Sequence, residues 1–393
     1  MQPQLAHKES LLTRQFNLAF ISSMFYGISF AVFVHIGGFF VGLGADEPRV
    51  GVILGLGSVG GLLVRPALGS WLDRFGRKRF ALLGAVVKIG STLLFLTVSG
   101  AGGLWPIAVT FVHGISEGLL YTSMATVGAD VVPASRRTEG LALFGVSGQA
   151  PLAIGGVLGD LLIRLGGFNL LFWVSAALAL AALVAISLIE EPAPRNAGAR
   201  SRLVQVLARP KLRPLWAVAF AFSMALNVFF VFLRTFVDET GVGSVGLFFV
   251  VYSGTAITLR IVGPRLPDML GVERTLVGTQ AMLSAGLVVL AFTASVPMLV
   301  VAAVFSGVGH GYAFPIILSL VTSRARDADR GMAISLFLLM FPIAALVGGP
   351  ISGYLIAAIG YKGMFLSFAA LVAVMGFVFM RWDMRVAKTV VSV

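Results

Sequence analysis

The stretch FNLLFWVSAALALAALVAISLI, residues 168–189, carries no charged side chain. As a helix rising 1.5 Å per residue it is about 33 Å long, enough to cross a hydrocarbon layer of roughly 30 Å. Similar runs recur from one end of the chain to the other. A soluble fold has no place for them: 58% of the 393 residues are hydrophobic and 12% charged, too few charges to cover a water-facing surface. The reading is an all-α integral membrane protein.

Apolar runs bounded by Gly, Pro and charge predict about twelve transmembrane helices, near 16–43, 50–70, 80–99, 104–132, 139–164, 168–189, 213–236, 244–263, 274–294, 297–322, 331–358 and 361–380. The one long polar connection, EEPAPRNAGARSRLVQVLARPKLRP, reads as a linker with a short amphipathic helix on the membrane surface. Three parts are expected: an N-terminal six-helix bundle over 1–189, a cytoplasmic linker over 190–212, and a C-terminal six-helix bundle over 213–393.

The net charge of +12 raises nucleic acid as a partner, but the basic residues sit in short clusters between apolar runs with no interleaved aromatics, so nucleic-acid binding is set aside. With the N-terminus inside, the loops on that side hold Arg74, Arg77, Lys78, Arg79, Arg136, Arg137, Arg265, Arg274, Arg324, Arg326 and Arg330, against Arg49, Arg164 and Lys362 opposite. That asymmetry predicts cytoplasmic termini. The chain has no cysteine, which excludes disulfides and thiolate chemistry. No phosphate loop, metal spacing or nucleophile–base set is found. No cofactor and no enzymatic activity are expected, and energy would come from protons or another ion gradient.

The halves repeat one another. Arg65, Asp73, Gly76 and Arg79 recur as Arg260, Asp268, Gly271 and Arg274, each displaced by 195 (260 − 65). Gly118, Tyr121, Gly140 and Pro151 recur as Gly309, Tyr312, Gly331 and Pro342, each displaced by 191 (309 − 118). Parallel repeats of six helices are a transporter plan with the solute held between them near mid-membrane.

The first repeated element, GSWLDRFGRKRF at 69–80, concentrates charge where the second helix must reverse into the third. Gly69, Asp73, Arg74, Gly76, Arg77 and Lys78 resemble the "GxxxDRxGRK" signature of the major facilitator superfamily, and Asp268–Arg274 resembles its degenerate second copy. The likeness extends over the twelve spans, the linker and DVVPASRRTEG at 130–140. It implies that fold, alternating-access transport, and a gating cluster of Asp73, Gly76, Arg77 and Asp130, with Asp268 in the second half. The branch most resembled is that of the drug/metabolite:proton antiporters. Two departures stand: Thr110 replaces their fourth-helix arginine, and Gly148-Gln149-Ala150-Pro151 precedes Gly155-Gly156 where they carry Gly-Pro and paired glycines.

A charge in hydrocarbon costs roughly 3 kcal/mol on insertion scales, so each one needs a reason. Glu117 lies about 22 Å from the inner end of the fourth span. It shares a face with His113 and Tyr121 at i, i+4, i+8 spacing and is the leading proton-coupling candidate; a static pair is the other reading. His113 and His35 are further proton-coupling candidates, or packing hydrogen bonds. On the seventh span Ser223, Asn227, Arg234 and Asp238 fall within about 60° of arc, which nominates Asn227 and Arg234 for substrate, with Arg234–Asp238 as an interfacial anchor otherwise. Tyr121, Gln149, His310 and Tyr312 complete the substrate candidates. Lys88 is expected to snorkel toward the inner surface, its depth differing from that of Glu117 by about 10 Å; a salt bridge to Glu117 is the other reading. Arg65 and Arg260 read as structural.

The expected function is proton-coupled efflux of a small amphipathic or metabolite-like solute by a monomer in a bacterial inner membrane, surrounded by lipid. The alternatives are proton-coupled uptake of a small polar or anionic solute, and a non-transporting sensor or lipid scramblase.

Overall fold

Hydrocarbon offers the backbone no water to bond with, so each apolar run closes its own N–H···O=C ladder as a helix. The computed structural model describes residues 10–133, 136–191, 203–326 and 329–391. Helix α1 is Arg14–Gly42, tightened to a 3₁₀ turn at Val32–His35. It is followed by α2 (Glu47–Phe75), α3 (Arg77–Leu94) and α4 (Trp105–Val131). The continuous stretch Arg137–Ser187 breaks at Gly166 and Gly167 into α5 (137–165) and α6 (168–187). After the short α7 (Leu203–Leu207) come α8 (Arg213–Thr240), α9 (Val245–Val262), the short α10 (Leu266–Leu270), α11 (Val272–Ala291) and α12 (Val296–Arg324). Arg330–Val391 breaks at Gly360 into α13 (330–359) and α14 (361–391).

Nine continuous helices among the described residues are long and apolar enough to cross a membrane. The two glycine breaks raise them to eleven. Helix α4 is the twelfth, its apolarity lowered by His113, Ser116 and Glu117. Alternate helix ends therefore define two faces: the linker face, which carries residues 190–212, and the far face.

The expected spans hold within a few residues, with two informative shifts. Helices α2 and α3 run to Phe75 and from Arg77 rather than stopping at 70 and starting at 80: the exposed Arg74 and Arg79 reach out of the helices and the buried Arg77 finds Asp130, while their backbone stays helical. Most of the linker (192–202) lies outside the described residues. Its end forms the short helix α7, with Val206 buried and Val204 72% exposed.

Helices approach closely through small residues, since lipid supplies little hydrophobic drive for association. Within the N-terminal bundle α2 and α4 touch backbone to backbone, where a Cβ on Gly114 would meet the carbonyl of Gly57. Between bundles, a Cβ on Gly51 of α2 would meet the Gly349 carbonyl of α13, one on Gly37 of α1 would meet the Val231 carbonyl of α8, and one on Gly156 of α5 would lie 3.2 Å from Gly246 of α9. These three crossings belong to the far half of the molecule. Toward the linker face the bundles part: among the described residues α4 and α5 form no extended interface with α12.

Candidate transport site and gates

The far face is sealed by polar groups as well as by packing. Ser244 caps α9, and the carboxylate of Asp160, from α5 in the opposite bundle, accepts the Gly246 N–H at 2.7 Å. A carboxylate at a helix N-terminus meets the positive end of the helix dipole. Asp160 also lies 3.9 Å from the Arg234 guanidinium of α8 and 3.8 Å from His35 Nδ1 of α1. Arg234 donates to Asp238 at 2.7 Å and its Nη1 stands 3.3 Å from His35, whose Nε2 is 3.0 Å from the Gly156 carbonyl. Two of the groups singled out in the sequence, His35 and Arg234, thus meet across the bundle boundary on the far face. The acid that joins them, Asp160, was not singled out, because in sequence it is an ordinary end-of-span charge.

At mid-depth the N-terminal bundle holds a closed ionic cluster. Glu117 accepts from Lys88 Nζ at 2.5 Å and from the Tyr26 hydroxyl at 2.8 Å. His113 Nε2 is 3.1 Å from Lys88 Nζ, and its Nδ1 is 3.3 Å from Ser91 Oγ. Lys88 is wholly buried, with its ammonium 4.6 Å from the Phe33 ring centroid. The expected snorkelling is corrected here. Helix α3 begins at Arg77, three residues earlier than expected, which puts Lys88 about 4–5 Å deeper. The side chain, about 6 Å long, reaches up the rest of the way. The Glu117 side chain keeps 15% exposure. Tyr121, one turn on, faces away from the cluster: it is 39% exposed, with its ring 5.6 Å from the Arg65 guanidinium.

The C-terminal bundle answers with a neutral cluster. The Tyr252 hydroxyl bonds His310 Nδ1, and His310 Nε2 lies 3.3 Å from Gln149 Nε2 of the other bundle. The sequence-nominated pair Gln149 and His310 therefore meet. Asn227 is buried with an unbonded Oδ1 that faces Gly348 at 3.3 Å from the position a Cβ would take. The Tyr312 hydroxyl is committed to its own bundle, donating to the carbonyls of Leu259 at 3.1 Å and Gly263 at 2.7 Å where α9 ends.

The linker-face turns carry the repeat in their backbones. Gly76 and Gly271, 195 apart, have φ of +95° and +89° and precede α3 and α11. A side chain at position 76 would also collide with the carboxylate of Glu191. That carboxylate accepts the N–H of Arg77 at 2.6 Å and of Lys78 at 3.3 Å. Glu191, beyond the end of α6, is thus the acid that caps α3; the side chain of Asp73, named in the gating cluster, lies outside the described residues. Arg77 and Asp130, two of the residues named in the gating cluster, meet at 2.6 Å. The second half reverses the signs: Glu273 at the start of α11 pairs with Arg324 at the end of α12 at 3.0 Å, and Arg324 also holds Asp383 at 2.5 Å. Asp268 is exposed and has no ion pair among the described residues. Arg209 of the linker bonds Asp329 before α13, tying the linker to the second bundle.

The profile of the Major Facilitator Superfamily matches residues 16–279 and 240–391. The chain belongs to that superfamily. An uncharacterized MFS-type transporter of Burkholderia mallei is 26% identical over 336 residues, covering 79% of this chain and 77% of the relative. The class E tetracycline resistance protein of Escherichia coli is 27% identical over 175 residues, covering 44% of this chain and 42% of that protein. The crystal structure of the nucleoside transporter NupG superposes with a TM-score of 0.73 at 15% identity, over 94% of this chain and 99% of that one. At that identity the likeness is one of fold.

As a Major Facilitator Superfamily member the chain is a transporter and not an enzyme. The candidate groups sort by depth within the superfamily's fold: His35, Asp160 and Arg234 at the far face, the Lys88–Glu117 and Gln149–His310 clusters at mid-depth, and Gly76, Arg77, Asp130 and Glu191 at the linker face.

Proposed function

We propose that the protein is a secondary active transporter working by alternating access, in which proton entry drives export of a small amphipathic or metabolite-like solute. The observation that supports this reading is the asymmetry of the bundle contacts. The crossings at Gly37, Gly51 and Gly156 and the Asp160 cap close the far half, while mid-span Tyr121 remains 39% exposed on the parted side. With the basic loops in the cytoplasm, that is the inward-facing form of an inner-membrane carrier with both termini inside.

Proton coupling is assigned to the Lys88–Glu117 pair. Two opposite charges 2.5 Å apart in a buried site form a two-state element: a proton on Glu117 cancels its charge and leaves the Lys88 ammonium to His113 and the Phe33 ring. The pair stands behind Tyr26 and Tyr121 in the bundle that must rock, so its charge state biases which face is open.

Everted vesicles test the reading. Solutes that raise the melting temperature of the purified protein are supplied outside vesicles with an acidic lumen. Uptake into the lumen that collapses with a protonophore is expected. Protonophore-indifferent uptake removes the coupling, and movement only into right-side-out vesicles with an acidic exterior reverses the direction to import.

A further inference from the structure

Two intramembrane cations have no role in the proton site or the gates. Arg65 of α2 and Arg260 of α9 occupy repeat-related positions, one in each bundle. Among the described residues each is held by a single carbonyl bond: Arg65 Nη1 donates across the bundle boundary to the Leu338 carbonyl of α13 at 2.8 Å, and Arg260 Nε to that of Gly311 in its own bundle at 2.9 Å. A guanidinium has five N–H donors. Arg65 Nε and Arg260 Nη2 are buried with no partner. Among the described residues neither arginine has a carboxylate within 4.0 Å. The acid that acts on Arg65 from farther away is Glu117, which already holds Lys88.

Tyr121 presents its ring to Arg65 at 5.6 Å, and its hydroxyl is in electrostatic range of Arg65 and Arg260 alike. Tyr121 is also 39% exposed, midway along α4. Other buried cations of the spans have acid partners: Lys88 has Glu117, and Arg234 has Asp238 and Asp160. Arg65 and Arg260 are two positive charges without an acid partner among the described residues. Uncompensated charge at membrane depth is costly and marks a ligand path, and planar guanidiniums fit carboxylate and phosphate groups bidentately.

We propose that Arg65, Arg260 and Tyr121 form an anion site between the bundles, taking the carboxylate or phosphate of an amphipathic organic anion whose apolar body lies on the Tyr121 ring. The assignment rests on the cleft being the transport route and names its cargo class. Since one arginine comes from each bundle, a bound anion bridges them and draws the parted side together, coupling loading to closure.

The test is binding to the purified transporter in detergent, read as the melting temperature against concentration of benzoate, its neutral isostere benzamide, and inorganic phosphate. Benzoate and phosphate are expected to stabilise the wild type, less so as salt is raised, and benzamide is expected to have no effect. Arg65→Gln and Arg260→Gln should each weaken benzoate about tenfold or more, the loss expected for one charge-assisted contact. Arg164→Gln, exposed at the far end of α5, should leave binding unchanged. Where a glutamine variant fails to fold, Arg65→Lys or Arg260→Lys replaces it, keeping the charge but losing the bidentate fork, with an intermediate loss expected. Tyr121→Leu should weaken benzoate more than phosphate. Benzamide binding as well as benzoate, unchanged affinity in both arginine variants, or no stabilisation of the wild type by benzoate or phosphate overturns the site. Benzoate binding that persists in a protein showing no gradient-driven flux would fell the transport reading and leave the anion site standing.

Discussion

Glu117→Gln abolishes proton-dependent transport and lowers the melting temperature, and adding Lys88→Met restores the melting temperature without restoring transport. Both halves of this expectation follow from burial. Lys88 is fully enclosed and bonded to Glu117 at 2.5 Å. Removing one charge of a buried pair strands the other at a cost of about 3–5 kcal/mol. Glutamine retains a carbonyl oxygen to accept from Nζ, and Phe33 lies beneath the ammonium, so the loss should fall toward the lower end of that range. Replacing the lysine by methionine removes the stranded charge at similar volume and recovers most of it. Neither variant can carry a proton at position 117. Thermal denaturation and pH-jump flux in proteoliposomes check the two halves separately. A double variant whose flux still follows the pH gradient removes Glu117 from coupling and leaves the pair a structural one.

Asp160→Asn opens the far face. The carboxylate bonds the first turn of α9 from the opposite bundle, and it also faces Arg234 and His35. An anion at a partly buried helix N-terminus contributes up to about 2 kcal/mol, a shift of about 30-fold in a two-state equilibrium. Asparagine keeps the hydrogen bond and loses the charge. The readout is Ala345→Cys, placed against Gly55 in the seal, labelled by a membrane-impermeant maleimide from the far side. Faster labelling in Asp160→Asn is expected, and equal rates would show that packing alone holds the face closed.

The gross fold was legible because it is written locally. Each span is a contiguous apolar run, and the breaks at Gly166–Gly167 and Gly360 fall between the expected spans 139–164 and 168–189, and 331–358 and 361–380. The repeat was legible too, since Gly76 and Gly271 must both adopt positive φ, and few other residues tolerate it. What stayed hidden was pairing between helices. Lys88 and Glu117 are 29 residues apart, Asp160 and Gly246 are 86 apart, and Glu191 and Arg77 are 114 apart. No spacing rule links such positions, and depth counted from an uncertain helix end misplaced Lys88 by a helical turn. Arg65 and Arg260 read as structural for the same reason: the contact of Arg65 with the Tyr121 ring joins residues 56 apart (121 − 65), and its bond to Leu338 crosses the bundles.

The central claim is that the two bundles exchange which face they close. The chain has no native cysteine, so spin labels can be placed pairwise without background. One pair is Gly42→Cys with Glu239→Cys on the far face, and the other is Arg79→Cys with Arg274→Cys on the linker face, all at exposed positions. Pulsed electron–electron distances are measured at neutral and acidic pH, in the parent and in Asp160→Asn. The account predicts a short far-face and long linker-face distance at rest, with the first lengthening and the second shortening together in acid or in the variant. Two distances that hold constant across all four conditions, or that change independently of one another, would contradict it.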